Sequence, residues 1–258
     1  MKNKFAIFIN SSDNTNDIAN IFVIFFEKFI KNIDIKIFVG TNNLVPSFKD
    51  CEVIPIKVNK SNWKKETIEQ ISIIKREYEE IEYIIPILDD FAFIKEFDFK
   101  NLSSLFKLVY DENLFYLRLK KIEESIFTPK KKIKFHNQRK ELIEIRNNHP
   151  YYSSLQVAIW NISHYMATLQ KCENIWKFEK INLNIKHYSV CKSLLTYIHI
   201  VEKGEWDYDA KTICKKYIKL NLSNFSNRQF KKHFLKKIIF KIKKILFPVI
   251  GYHLTRNK

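Results

Sequence analysis

The 258-residue chain holds three glycines, Gly40, Gly204 and Gly251. Neither a GxGxxG dinucleotide fingerprint nor a GxxxxGK[ST] phosphate loop can be assembled from them, so both are excluded in their glycine-rich form. Its four cysteines, Cys51, Cys172, Cys191 and Cys214, are too far apart for a CxxC zinc or redox motif. They are expected as small hydrophobes in a reducing cytosol. The opening MKNKFAIFIN has an apolar run too short for a signal peptide. No apolar window approaches the roughly 18 residues that a membrane span needs. The seven histidines form no HExxH, and Ser153 and Ser154 lack the GxSxG frame of a serine hydrolase. Acid is scarce: 28 Asp and Glu against 45 Lys and Arg, a formal net charge of +17. At 46% hydrophobic and 28% charged residues, disorder is excluded. The length suits one large domain or two small ones.

The charge is unevenly placed. Residues 228–258 carry ten Lys and Arg and no acid, which leaves +7 for the other 227 residues. A nucleic-acid protein spreads its basic surface over the folded domain, so a nucleic-acid partner is not expected. In the tail Phe230, Phe234, Ile238, Ile242 and Ile245 recur every three or four residues, with lysines between them and Pro248 beyond. This predicts a basic amphipathic helix over 228–247. Such a helix suits an anionic membrane surface, apolar face in the acyl boundary and lysines at the headgroups. A helix docked on its own domain would show the same pattern.

Along the body, residues 4–10, 35–39, 51–58 and 83–88 read as strands and 18–30 and 61–76 as helices, Ser61 capping the second. Glu66 and Glu69 in its early turns and Lys75 and Arg76 at its end suit the helix dipole. The order β-α-β-β-α-β predicts an α/β sheet flanked by helices. Residues 83–88 (YIIPIL) are apolar on both faces, as a central parallel strand is. Further on, 91–99 alternates, 102–110 is helical, 114–119 and 141–145 are strand-like, and 130–134 is a lysine-rich loop or edge strand. Helices are expected over 161–169 and 208–217. A loop is expected between 179 and 197, then a strand over 197–202. No repeat or linker divides the chain, so one domain (1–227) and a basic tail (228–258) are expected.

Asp89 and Asp90 close the fourth strand, where open α/β sheets bind ligands. Strand packing does not call for two acids there. They suit a divalent-metal or sugar-phosphate site, or a loop cap or helix start.

Several segments together resemble the bacterial GT-A-type glycosyltransferases found in capsule and lipopolysaccharide gene clusters. The first strand runs into Asn10-Ser11-Ser12-Asp13, where the family has a polar loop. Residues 84–93 (IIPILDDFAF) match its apolar strand, acidic pair and aromatic run. Ser154-Leu155-Gln156 with Ala158-Ile159-Trp160 resembles S-L-Q-x-A-x-W. Residues 175–179 (IWKFE) resemble W-E-F-E, and 197–206 (YIHIVEKGEW) a strand followed by K-G-x-W. The five matches, in order, cover most of residues 4–228; the tail lies outside them.

The resemblance implies a single GT-A-like (Rossmann-like) mixed sheet flanked by helices, and sugar transfer from a nucleotide-sugar donor to a surface-polysaccharide or lipid-linked acceptor. The enzyme would sit in the cytoplasm, peripheral at the inner membrane face, with its tail as the tether. A divalent cation, Mn²⁺ or Mg²⁺, would be held by Asp89 and Asp90, with His187 as a third ligand, and would neutralise the departing diphosphate. An adjacent pair replaces the usual D-x-D, so Asp89 is also a candidate for donor hydroxyls. Asn10, Ser11, Ser12 and Asp13 would contact the nucleotide, the same residues also suiting a helix N-cap. Glu179 is the candidate general base, or else a surface ion pair. Trp176 would stack on a sugar, or pack in the core. Gln156 and Ser154 would bond sugar hydroxyls, with Trp160 in the core. The competing expectation is a non-catalytic nucleotide-sugar-fold protein that recruits partners.

Overall fold

The computed structural model of the chain describes residues 1–122, 132–135, 140–149, 151–202, 204–224, 226 and 228–230. The expected tail helix over 228–247 thus lies almost wholly outside the described residues.

The first strand, β1 (Phe5–Asn10), is buried at every residue. A 3-10 turn leads into α1 (Asn16–Phe29), whose apolar row Ile18, Phe22, Val23, Phe25 and Phe26 turns inward. After the two-residue β2 (Ile30–Lys31) come β3 (Lys36–Thr41) and β4 (Ile54–Lys57). Helix α2 (Trp63–Glu77) is capped by Asn62, whose side chain accepts from the Lys65 amide, and not by Ser61. The Ser61 amide donates instead to Glu66 at 2.5 Å. The next strand, β5 (Tyr83–Leu88), has the boundaries that its apolar run predicts. The alternating segment after it divides into β6 (Phe91–Phe93) and β7 (Phe97–Asp98), and α3 (Ser103–Asp111) follows.

The remaining strands extend the same sheet: β8 (Tyr116–Arg118), β9 (Lys132–Phe135), β10 (Lys140–Ile145) and β11 (Ala158–Asn161). Asn161 caps α4 (Ile162–Lys171) by accepting from the Ser163 and His164 amides. The IWKFE segment is one helical turn, α5 (Ile175–Phe178). Where a loop was expected, β12 (His187–Val190) forms an interior strand between β8 and β10. Its polar residues hid it, because they are satisfied only by tertiary partners. The Ser189 hydroxyl accepts the Ile122 amide at 3.0 Å, and His187 bonds the Tyr152 carbonyl at 2.9 Å.

Among the described residues, nine strands make one mixed sheet in the order β4-β3-β1-β5-β11-β8-β12-β10-β9. The first four are mutually parallel; β11 runs antiparallel to both its neighbours. Lysine-rich β9 is the edge strand, a usual place for charge. Successive residues alternate between two apolar layers. Phe5, Ile7, Ile9, Ile85, Ile87 and Leu117 face one layer with α1 and α3; Ala6, Phe8, Ile84, Tyr116 and Trp160 face the other with α2, α4 and α5. This is the flanked mixed sheet of an α/β protein. Gly40 is required by close approach: a Cβ there would meet the buried Gln70 side chain at 2.5 Å.

The chain divides into two units, with a boundary between Ile198 and His199. The sheet and its helices make the first. The second includes β14 (Val201–Glu202), β15 (Glu205–Trp206) and α6 (Ala210–Ile218). Strand β13 (Tyr197–His199), the partner of β6, crosses the boundary, so the single strand expected over 197–202 is two. In the second unit Trp206 is fully buried, its amide donates to the Gln229 carbonyl at 2.9 Å, and it bridges to Phe230. Those links tie residues 228–230, placed with the tail on sequence, to this unit. Gly204, at φ +82°, makes the hairpin turn in a conformation that L side chains rarely adopt. No helix among the described residues is long and apolar enough to cross a membrane, and all four cysteines are free thiols.

Candidate functional site

The chain leaves β1 for β3 and β4 on one side and returns to β5 on the other, so strand order reverses between β1 and β5. Ligand crevices of open α/β sheets form at the carboxyl ends of such a pair. Asn10-Ser11 closes β1 and Asp89-Asp90 closes β5, side by side: the Asp89 amide donates to the Asn10 carbonyl at 3.3 Å.

The two aspartates differ. Asp89 is 8% exposed, and its Oδ2 accepts from the hydroxyls of Ser11 (2.8 Å) and Thr15 (2.6 Å). It ties the β1 loop to β5. Asp90 is half-buried, and its charge acts on the Tyr197 hydroxyl. The loop residues are likewise anchored. Asn10 donates to Thr67 on α2 at 2.8 Å. Ser12 and Thr15 form a capping box. Asp13 accepts from the amides of Leu44 and Asn43, each at 2.9 Å, and these hold its carboxyl below the usual range. Ser12 is thus the N-cap residue of the 3-10 turn Asp13–Thr15 and not of α1, and the loop's backbone lies at the reversal point.

Next to β5 in the sheet come β11 and β8. Tyr116 on β8 and Ile84 on β5 both stand opposite Trp160. The β5–β11 ladder pairs only Tyr83 and Ile84. Two residues on, Pro86 offers no amide to continue it. Tyr197 stands beyond the ladder's end. Its hydroxyl accepts the Val157 amide (3.1 Å) and donates to Gln156 (2.8 Å), and its ring stacks on Phe91 with centroids 4.5 Å apart. Burial, above all, raises its phenol pKa; Arg118 and Asp90 then act on it in opposite senses. Lys120 reaches Gln156 at 3.3 Å and lies over the Tyr197 ring. Gln156 and Lys120 thus meet at Tyr197.

Glu179 follows α5 and is half-buried, its Oε1 3.5 Å from the Ser154 hydroxyl. Burial raises the Tyr116 pKa, and the charges of Arg118 and Glu179 oppose each other there. Trp176, three residues before Glu179, is 62% exposed, which rules out the core-packing alternative. Trp160 is in the core, as expected.

His187 does not join the aspartates. It opens β12, its ring stacks on Tyr116, and Tyr116 is level with Ile84. Asp89 lies five residues further along β5, roughly 16 Å at the rise of a strand. The expected three-ligand set is therefore corrected: His187 belongs to the opposite end of the sheet. There it is 1% exposed, with Nε2 2.7 Å from Nε2 of buried His164. Its Nδ1 must donate to the Tyr152 carbonyl, so its Nε2 accepts from His164. Among the described residues no three His, Cys, Asp or Glu are grouped as metal ligands.

This pair carries a pH prediction. Burial lowers the pKa of His164 to about 4 and that of His187 to about 3, from 6.5. Below pH 6.5 the unfolded chain takes up protons that the folded pair refuses, so stability falls as pH drops from 6.5 toward 4. The loss is on the order of 3 kcal/mol for each imidazole. Urea unfolding at pH 7, 6, 5 and 4 measures it. Imidazole NMR signals of this pair that titrate near pH 6.5 would refute it.

The sequence reading missed Arg118, Lys120, Tyr197 and Thr15. Arg118 did leave a signal, a charge inside the apolar run LFYLRL. Tyr197 and Thr15 left none, because each acts through a neighbour distant in sequence. A recess of about 620 Å3 lies elsewhere, lined by Glu27, Lys31, Ile35, Lys36, Cys51 and Ile54 near the start of β3 and β4. It is remote from the carboxyl edge, and the polar convergence there outweighs its size. No protein-family model matches the chain, and no curated protein is significantly similar to it.

Proposed function

We propose that the chain is a glycosyltransferase that moves a sugar from a nucleotide-sugar donor to a surface-polysaccharide or lipid-linked acceptor at the cytoplasmic membrane face. The observation that carries the reading is the β1/β5 reversal, at whose carboxyl edge Asn10-Ser11 and Asp89-Asp90 lie side by side. The resemblance of the five segments to GT-A-type enzymes supports it.

In this reading the backbone and side chains of residues 10–13 contact the nucleoside. Gln156 orients a sugar hydroxyl, and Trp176 offers an exposed ring for a sugar face. Glu179 takes the proton of the acceptor hydroxyl as it attacks the anomeric carbon, and the glycosidic bond forms as the bond to the diphosphate breaks. Asp89 Oδ2 already serves two hydroxyls, so Asp90 is the better carboxylate for a cation. Mg²⁺ is commonly bound through one or two carboxylates plus substrate phosphates, and Asp90 fits that pattern. A cation there would neutralise charge on the diphosphate.

The basic tail is the proposed tether to anionic lipid, by its sequence pattern. The test of function is a thermal-shift screen of nucleotide sugars, each with and without Mn²⁺. One nucleotide class at about 100 times its Kd should add ~2.7 kcal/mol. That corresponds to a rise of roughly 5–10 °C for a chain of this size. A flat response to every donor, repeated with candidate acceptors present, would reject the transferase.

A further inference from the structure

The connection from β3 to β4 presents two neighbouring apolar side chains to solvent, Leu44 at 50% exposure and Val45 at 37%. Their outward position is fixed by the loop's own bonds. Asp13 accepts from the Asn43 and Leu44 amides and from the Asn43 side chain. The Thr41 hydroxyl donates to the Leu44 carbonyl. Further along, Phe48 turns inward and meets Phe26 edge-on, with centroids 6.1 Å apart. The loop has this aromatic anchor, and Leu44 and Val45 stay outside it. Single exposed apolar residues are ordinary on any surface. An adjacent pair on a braced loop, rimmed by charge of one sign, marks a contact surface.

That rim is basic. Lys57 closes β4 directly opposite Thr41. The Val58 amide donates to the Thr41 carbonyl at 3.1 Å, and the Asn42 side chain donates to the Val58 carbonyl at 3.2 Å. These bonds hold the start of the β4–α2 connection against the Leu44 loop. Residues 41–48 and 57–65 contain no acid and four lysines. Lys57, Lys60 and Lys65 are exposed, and their ammonium groups bond to none of the described residues. The acids lie at the other end of the same β3–β4 connection. Asp50 and Glu52 are exposed there, and the Asp50 amide donates to Glu27 in the last turn of α1. The carboxyl-end corner is therefore apolar and cationic, and the amino end carries the acids. A tip of aliphatic side chains within a cationic rim complements acyl chains beneath anionic headgroups. A nucleic-acid backbone would meet the lysines and leave Leu44 and Val45 unused.

We propose that the Leu44-Val45 loop, with Lys57 and Lys60, docks on an anionic bilayer and turns the carboxyl edge of the sheet toward it. The inference rests on the membrane-face part of the transferase reading. It adds a contact within the first unit to the tail tether of that reading. The loop is bonded to Asp13 of the β1 loop, so docking brings the candidate donor site to a lipid-linked acceptor.

The test is co-sedimentation of the full chain with vesicles of phosphatidylcholine, alone and mixed with phosphatidylglycerol. Wild type is compared with the double variants Leu44→Ser/Val45→Ser and Lys57→Gln/Lys60→Gln. The serine variant should bind mixed vesicles roughly 10-fold less tightly, the scale of leaving two partly exposed aliphatic side chains in water. The glutamine variant should lose roughly 10-fold on the same vesicles. All four side chains are at the surface, so melting temperatures should match wild type within about 2 °C. In Leu44→Trp, the added fluorescence should be quenched by lipids brominated on their acyl chains. A serine variant that partitions as wild type does, or an unquenched Leu44→Trp protein, overturns the loop contact alone. So does a dimer that the serine variant dissolves with its partition unchanged, which assigns the patch to a second copy. A wild type that leaves mixed vesicles unbound overturns the membrane-face reading and the loop contact together.

Discussion

Glu179→Gln is expected to lower kcat for sugar transfer by roughly 10²–10⁴-fold, the range for losing a positioned general base. The melting temperature should stay within about 2 °C. The reason lies in how the residue is attached. Glu179 contributes to the fold through its backbone, whose carbonyl accepts the Ser153 amide at 3.2 Å. Glutamine keeps that bond and keeps the side-chain volume. The carboxylate itself stands only at the limit of hydrogen-bond distance from the Ser154 hydroxyl. Donor affinity should be preserved, because the base acts on the acceptor. Kinetics with saturating donor, alongside calorimetric melting, separate the two effects. A variant that transfers sugar at the wild-type rate removes Glu179 from the mechanism.

The second large effect separates two adjacent residues that the sequence presents as a pair. Asp89→Ala should destabilise the protein by about 2–4 kcal/mol, since it leaves the Ser11 and Thr15 hydroxyls without their shared acceptor. At 2–4 °C per kcal/mol, that is a fall of roughly 5–15 °C in melting temperature. Asp90→Asn should melt within about 2 °C of wild type and lose turnover, because in the transferase reading its half-buried carboxylate serves the donor's cation. Melting curves and single-turnover rates on both variants decide it. If Asp90→Asn melts as low as Asp89→Ala and still turns over, the roles given to the pair are wrong.

The first ninety residues were legible because their signals are local. Apolar runs of six mark β1 and β5, and a helical period marks α1 and α2. Beyond Tyr110 the signals weaken. Strand β12 reads HYSV, and its polar side chains become strand-compatible only when His164, the Tyr152 carbonyl and the Ile122 amide meet them. The break between β13 and β14 divides a segment whose hydropathy runs on without interruption. The cap of α2 moved from Ser61 to Asn62 because both residue types serve at an N-cap, and the choice depends on where the backbone turns.

At the candidate site, the chain alone determined that two acids end a central apolar strand, that a polar loop ends the first, and that the tail is basic and amphipathic in pattern. These are statements about neighbours in sequence. Tertiary structure decided that Asp89 is a brace, since Ser11 and Thr15 are more than seventy residues from it. It also took His187 away from the metal set, because strand direction and register put it at the other end of the sheet. And it set the Lys120 ammonium over the ring of Tyr197, a residue distant from it in sequence. Register, burial and hydrogen-bond closure act between strands, and no reading along one strand contains them.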